Sequence, residues 1–448
     1  MKFVRSVLAG VIPGVALVYG LPVAAETLEE KLETLDQQVK VLERRLELST
    51  DEATAKAKQN AVVSAGDKGF SIKSADGDYE LRLRGYVQSD TRNFLDDDAH
   101  ALSNTFLVRR ARPSFEGTVA KSFDFRIVPD FAGSSVSLID AYAEVKYWPA
   151  ATVRVGRFKP ALSLLRLQSD TQLTFAERAP VTALTPDRDA GVQVEGGLVG
   201  GAVNYALGVF NGAADGASNS GDSADQKDVV ARIFLQPWAN DPGLLQGLGF
   251  GIAGSRGRQT GTSDVGVVYR STGQQTIFAY NGTGASAVSA DGTHTRVVPQ
   301  FHYYYNNIGI VGEYARSSQD VKSGTSSATL AHKGWDLELN WVVTGEDASY
   351  KGIKPKSVFV PGGEGAGAVE LGLRVGALDI DDDAFAVYAD PAKSVTQARV
   401  AGAGVNWYLN SNVRLTLNYE RTRFTGGAAG GADKADEKLL LGRLQLAY

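Results

Sequence analysis

Apolar positions along this chain change their spacing twice. Leu28, Leu32, Leu35, Val39, Leu42 and Leu46 recur every four and three residues, which keeps one seam of a supercoiled helix apolar. Glu29, Glu30, Lys31, Glu33, Lys40, Glu43, Arg44 and Arg45 fill the flanks. The spacing predicts a helix over 26 to about 58, read as a short coiled coil; one amphipathic helix packed on its own domain is the alternative. A few heptads are marginal alone and call for partner chains. Residues 61–78, with Gly and Ser, read as a linker. From Tyr79 onward the period becomes two. In GWDLELNWVV, Trp335, Leu337, Leu339 and Trp341 alternate with Asp336, Glu338 and Asn340, the pattern of a half-buried strand.

Sixteen such segments follow, at 79–90, 104–119, 123–132, 138–147, 152–158, 188–196, 201–211, 226–236, 247–256, 293–305, 308–321, 330–344, 368–380, 394–409, 413–424 and 437–448. Short connections (120–122, 148–150, 410–412) alternate with long polar ones (91–103, 159–187, 257–293). An even number of strands joined this way indicates a closed transmembrane barrel, because an open edge would leave backbone groups unpaired in lipid. The expected fold class is therefore all-β, a 16-stranded antiparallel transmembrane β-barrel over 79–448 preceded by a short N-terminal coiled-coil helix over 26–60. Trp148, Trp341, Trp407, Tyr408, Tyr419 and Tyr448 fall near strand ends, as interfacial girdles require. A soluble β-sandwich would not explain the charged strand faces.

The N-terminus strengthens the membrane reading. MKFVRSVLAGVIPGVALVYGLPVAA carries Lys2 and Arg5, an apolar run and a small-residue end, the order of a secretory signal cleaved after Ala25. The alternative, a permanent anchor, is interrupted by Pro13 and Gly14. Together these features place the chain in the outer membrane of a Gram-negative bacterium, with the helix in the periplasm. The chain has no Cys, which removes disulfides, thiolate metal sites and Cys nucleophiles. Its 46 basic and 51 acidic residues are dispersed, giving no nucleic-acid footprint. His100, His294, His302 and His332 are scattered without metal-ligand spacing. PGGEGAGAVE lacks the Lys-Ser/Thr of a phosphate-binding loop. No catalytic residues, metal or cofactor are expected.

Charge inside the barrel carries the functional reading. Sixteen strands enclose an aqueous channel, and strand alternation sends Arg82, Arg84, Arg110, Arg112, Arg126, Arg154, Arg374, Arg414 and Arg443 inward. Arg109, on the opposite parity, is read as an outward residue near the external rim. Guanidinium groups bind phosphate oxygens in bidentate pairs, and cationic rings select anions. The alternative is that Asp124, Asp130, Glu338 and Glu420 neutralise them. The connection 159–187, with Lys159, Arg166, Glu177 and Arg178 among apolar residues, is long enough to be functional. It either folds into the channel or caps its mouth. The acidic stretches LDDDAH and DIDDDAF (95–100 and 379–385) read as solvated loop tips or cation sites.

Several segments together resemble the phosphate-selective porins O and P: the N-terminal heptads, RRARPSFEGTVAKSFDFRIVPDF, GRFKPALSLLRLQSDTQLTFAERA, WVVTGEDASYKG and GVNWYLNSNVRLTLNYERTRF. The resemblance implies a homotrimer of 16-stranded barrels in outer-membrane lipid and lipopolysaccharide, each with its third external loop folded inward. It implies uptake of small anions such as phosphate, pyrophosphate or polyphosphate. By motif match, Arg110, Arg112, Arg126, Lys159, Arg166 and Arg178 are the pore-lining candidates. One position departs: this chain has Ser163-Leu164-Leu165-Arg166 where the family commonly has Ser-Leu-Glu-Arg. That loss either leaves Arg166 less neutralised or repacks the loop. Two further readings stand beside an anion porin: a general or weakly selective diffusion porin, and a structural envelope protein tethered by its coiled coil.

Overall fold

The computed structural model describes residues 27–57, 60–96, 102–148, 150–221, 225–262, 265, 268–385 and 387–448; the leader expected at 1–25 lies outside them. The chain divides after Asn60 into two units. In the first, helix α1 spans Leu28–Ala57. Thr27 and Glu30 cap each other's backbone N–H groups, a reciprocal start signal. The seam residues Leu28 to Leu46 are exposed, Leu28 by 80% and Val39 by 49%.

The second unit is a barrel of sixteen strands: β1 Glu80–Leu95, β2 Thr105–Val119, β3 Phe123–Asp130, β4 Ser137–Trp148, β5 Ala151–Phe158, β6 Asp189–Leu198, β7 Val203–Phe210, β8 Asp228–Leu235, β9 Leu248–Gly261, β10 Val288–Tyr305, β11 Ile308–Ser323, β12 Ser326–Val342, β13 Ala368–Asp379, β14 Val395–Tyr408, β15 Val413–Gly426 and β16 Glu437–Ala447. All sixteen segments expected from alternation are strands. β16 pairs antiparallel with β1, Leu446 opposite Val87, so the sheet has no free edge there. On β12 the outward Trp335, Leu337, Leu339 and Trp341 are exposed, whereas Asp336, Glu338 and Asn340 are buried. Apolar side chains face lipid and polar ones face inward, the inverse of a soluble sheet's layering.

Three expectations are corrected. The segment 61–78 is more than a linker: Val62–Gly66 and Gly69–Lys73 form a hairpin whose second arm pairs with β1, Phe70 opposite Leu83. Val62, Val63, Phe70 and Ile72 supply strand formers, and Gly69 at φ +86° closes the turn. Tyr408 is not a girdle residue; it points inward and its hydroxyl donates to Glu370 at 2.8 Å. The connection after β9 is not simply polar and external, because it carries a short ladder of Tyr269–Arg270 against Thr276–Phe278. Tyr269, Ile277 and Phe278 are buried in the main apolar cluster.

That cluster lies inside the barrel. The connection between β5 and β6 enters the lumen with one helical turn, α2 Leu164–Leu167, and a 3-10 turn at Pro180–Leu184. Leu162, Leu164, Leu165, Val181 and Leu184 join Phe158, Phe210, Phe234, Ala315 and Leu330 from the wall. The loop therefore folds into the channel instead of capping it.

Candidate functional site

The inward loop is held across the lumen through its backbone. Gln300 and Arg414 donate to the carbonyls of Leu162 and Leu173 at 2.9 Å each, and Asn406 to that of Thr174 at 2.8 Å. Asn418 accepts the N–H of Ala176 at 2.8 Å, and Gln88 donates to the carbonyl of Asp170 at 3.0 Å. Each bond answers a backbone group that burial would otherwise orphan. The departure at Leu165 is explained by repacking. Leu165 joins the apolar cluster, while the wall residue Glu313 accepts the Ser163 hydroxyl at 2.7 Å and the Leu165 N–H at 3.1 Å. Arg166 pairs with Asp187 at 2.9 Å.

Two carboxylates of the loop gather the arginines of the nearby wall. Glu177 accepts from Arg109 at 2.6 and 3.1 Å, from Arg92 at 3.0 Å and from Arg443 at 3.1 Å. Asp170 accepts from Arg112 at 2.5 Å, pairs with Arg178 and lies 3.6 Å from Arg110. Burial alone would raise both carboxyl groups. Arg110, Arg178 and Arg112 outweigh it at Asp170, and Arg109, Arg110 and Arg443 at Glu177, holding both below the usual carboxylate range.

Arg109 corrects the alternation argument. The register between β1 and β2 skips it: Gln88 faces Arg110, and Ser89 faces Val108. A bulge that places an extra residue on one strand re-aims side chains, so Arg109 and Arg110 both reach the loop from the inner side. No sequence signal marks this bulge.

A cavity of about 500 Å³ lies between this wall and the loop. Arg109, Arg110, Arg112, Arg166, Arg178, Arg188 and Arg270 line it, with Asp170, Glu177 and Asp187 as its only carboxylates among the described residues. Asp130 at 2.6 Å and Asp140 at 3.2 Å engage Arg112 and Arg188 from outside that lining. Counting them still leaves guanidinium groups in excess. A second cavity of about 210 Å³ shares Arg112, Asp170 and Arg188 with the first, and continues past Arg126, Arg154 and Lys159. Arg154 is paired with Glu144 at 2.6 Å and Glu195 at 2.7 Å. Arg126 lies 3.5 Å from Glu116. Lys159 donates to the carbonyls of Arg166 at 2.5 Å and Gln168 at 3.1 Å, and burial pushes its ammonium well below the ordinary lysine value. Arg84, 3.6 Å from Glu116, and Arg82, 4.0 Å from Glu80, lie near the short-turn end of β1, outside both cavities.

Three sequence-derived candidates are not channel-lining. Arg374, Arg414 and Arg443 face inward, but the loop covers them, leaving each at most 3% exposed. Arg374 is enclosed by Glu338, Glu420 at 3.1 Å and Asp336 at 3.8 Å, and stacks on Phe175 of the loop at 4.2 Å. Arg443 is held by Asp90 at 2.6 Å. Inward parity does not mean contact with water. Sequence reasoning missed Arg92, Arg188 and Arg270. Arg92 keeps the parity of Arg82 and Arg84 two residues beyond the expected end of the first strand, so extending that strand finds it. Arg188 sits at a loop–strand junction, and Arg270 on the inward ladder after β9.

A closed 16-stranded barrel with an internal loop and a cationic passage is a porin, a channel of the Gram-negative outer membrane and not an enzyme. The model of the family "Phosphate-selective porin O and P" matches residues 81–448, and the chain belongs to that family. Porin O of Pseudomonas aeruginosa is 25% identical over 393 residues, covering 79% of this chain and 85% of that protein. Among solved structures, the outer-membrane channel DcaP of Acinetobacter baumannii superposes with a TM-score of 0.54 at 11% identity, over 86% of this chain and 100% of that one. OmpT of Vibrio cholerae gives 0.52 at 10% identity, over 83% and 98%. These two likenesses concern the fold.

Proposed function

We propose that the channel is a passive, anion-selective pore whose narrow zone is the pair of cavities between β1–β5 and the inward loop, and that phosphate or polyphosphate is its cargo. The observation that carries this reading is the seven arginines facing three carboxylates around the 500 Å³ cavity. An excess of fixed cations in a confined passage raises the local anion concentration, and guanidinium forks match tetrahedral oxyanions better than chloride. The passage needs no moving part. Three copies are proposed to assemble through the exposed seam of α1 in the periplasm, since a 30-residue helix with that seam unpartnered is not self-sufficient. One structural likeness is to the trimer form of OmpT of Vibrio cholerae.

Chloride current through single channels in a planar bilayer, titrated with phosphate, tests the cargo. Saturable block by millimolar phosphate supports a phosphate-binding constriction. Chloride current unaffected by phosphate would leave a general diffusion porin.

A further inference from the structure

Six of the seven arginines around the 500 Å³ cavity have a carboxylate at 3.6 Å or closer: Arg109, Arg110, Arg112, Arg166, Arg178 and Arg188. Arg270 has none among the described residues; its guanidinium donates to the carbonyl of Gln274 at 3.0 Å. It is also the most open of the seven, exposed where the others are buried or half-buried. The cation that the chain itself leaves unanswered is the one whose position matters most to a passing anion.

Arg270 stands on the connection between β9 and β10, at the edge of a tight turn. The backbones of Ser271 and Gln275 close that turn at 2.9 Å, and Gln274 lies at φ +66°. A residue with a side chain takes this left-handed conformation only where its surroundings hold it. Glu437, the first residue of β16, does so from 164 positions away in the sequence. One of its carboxylate oxygens accepts the Ser271 hydroxyl at 2.7 Å, and the other accepts the Gly273 N–H at 2.9 Å. Ser271, Gly273 and Glu437 are all buried. The approach requires a glycine, because a Cβ at 273 would lie 2.7 Å from the carboxylate. No ion pair reaches Glu437 among the described residues, so the turn supplies the hydrogen bonds that a buried carboxylate requires.

We propose that Glu437 is a positioning residue of the constriction. By clamping the turn at Ser271 and Gly273 it fixes the Gln274 carbonyl, and through that carbonyl the Arg270 guanidinium, at the edge of the cavity. The proposal deepens the anion-pore reading above and rests on it. Glu437 is not among the residues lining the cavity, so its effect on an anion passes through Arg270.

The test compares the full-length wild type with Arg270→Gln, Glu437→Ala, the double variant, and Glu437→Gln as the conservative change. Heat-modifiable gel migration verifies each barrel. The zero-current potential under a potassium chloride gradient reads anion preference, and phosphate titration of the chloride current reads the half-blocking concentration. One charge-assisted hydrogen bond corresponds to roughly tenfold in affinity, so Arg270→Gln is expected to raise the half-blocking concentration about tenfold. Glu437→Ala should raise it severalfold, and Glu437→Gln, which keeps one acceptor, should recover part of that loss. The double variant should match Arg270→Gln alone, because the clamp has nothing to position once the guanidinium is gone. Wild-type block in Glu437→Ala overturns the proposal. Losses that multiply in the double variant also overturn it, since Glu437 would then serve the loop as a whole. A wild type with no anion preference or no phosphate block defeats the pore reading, and the clamp with it. Variants that break the expected pattern in a phosphate-blocked wild type defeat the clamp alone.

Discussion

The wall formed by β1–β5 and the wall formed by β10–β16 are built from the same alternation and carry arginines of the same parity, yet the two serve different ends. Along β1–β5, Arg110, Arg112, Arg126 and Arg154 line the two cavities. Across the lumen, Arg374 and Arg414 are sealed beneath the inward loop, the first among Asp336, Glu338 and Glu420, the second against a loop carbonyl and Tyr408. Both groups hold the loop, but Arg110 and Arg112 do so through its carboxylate Asp170 while lining a cavity, whereas Arg374 and Arg414 do so through Phe175 and a loop carbonyl beneath it. Their separation shows that the position of a guanidinium relative to the loop, and not its strand parity, decides whether it borders a cavity.

Removing the buried cation should produce the largest effect. Arg374→Met leaves three inward carboxylates without their cation and removes the stack on Phe175. Breaking a buried ion pair from one side costs about 3–5 kcal/mol, so urea unfolding in micelles should shift to markedly lower concentration. An unchanged midpoint would dissolve the distinction between the two walls. Substitutions in the cavity-lining wall should lower stability less and shift ion preference instead.

Acid offers an intermediate test. Asp170 and Glu177 have folded pKa values below the usual carboxylate value of about 4. Their stabilisation is therefore complete above that value and is lost only as pH falls through the lower folded values. Loop anchorage, read as channel noise and selectivity, is expected to be flat from pH 8 to pH 5 and to fail well below pH 4. A change in selectivity between pH 8 and pH 5 would contradict this assignment.

Much of the barrel could be read from the chain because lipid enforces period two: an outward polar residue within the apolar band is costly, so Trp335 to Trp341 and Leu415 to Tyr419 announce their strands. The site was only partly legible. Arg110, Arg112 and Arg126 follow from parity, but Arg109 depends on a bulge that no local pattern encodes. The burial of Arg374 and Arg414 depends on where a loop far away in sequence comes to rest (Phe175 on Arg374, Leu173 on Arg414). The hairpin at 62–73 was hidden by its Gly and Ser content. Leu165 signalled a repacked loop, yet Glu313, which takes over on the wall, became visible only in three dimensions.

The central claim is that β1–β5 and the loop make an anion-selective constriction. It is tested most directly by the zero-current potential of the reconstituted channel under a tenfold potassium chloride gradient, for the wild type and for the double variant Arg109→Ala, Arg110→Ala. The account predicts an anion-preferring potential for the wild type and a clear shift towards zero for the variant, with a correctly folded barrel in both. A cation-preferring wild type, or the same potential in both proteins, would contradict it.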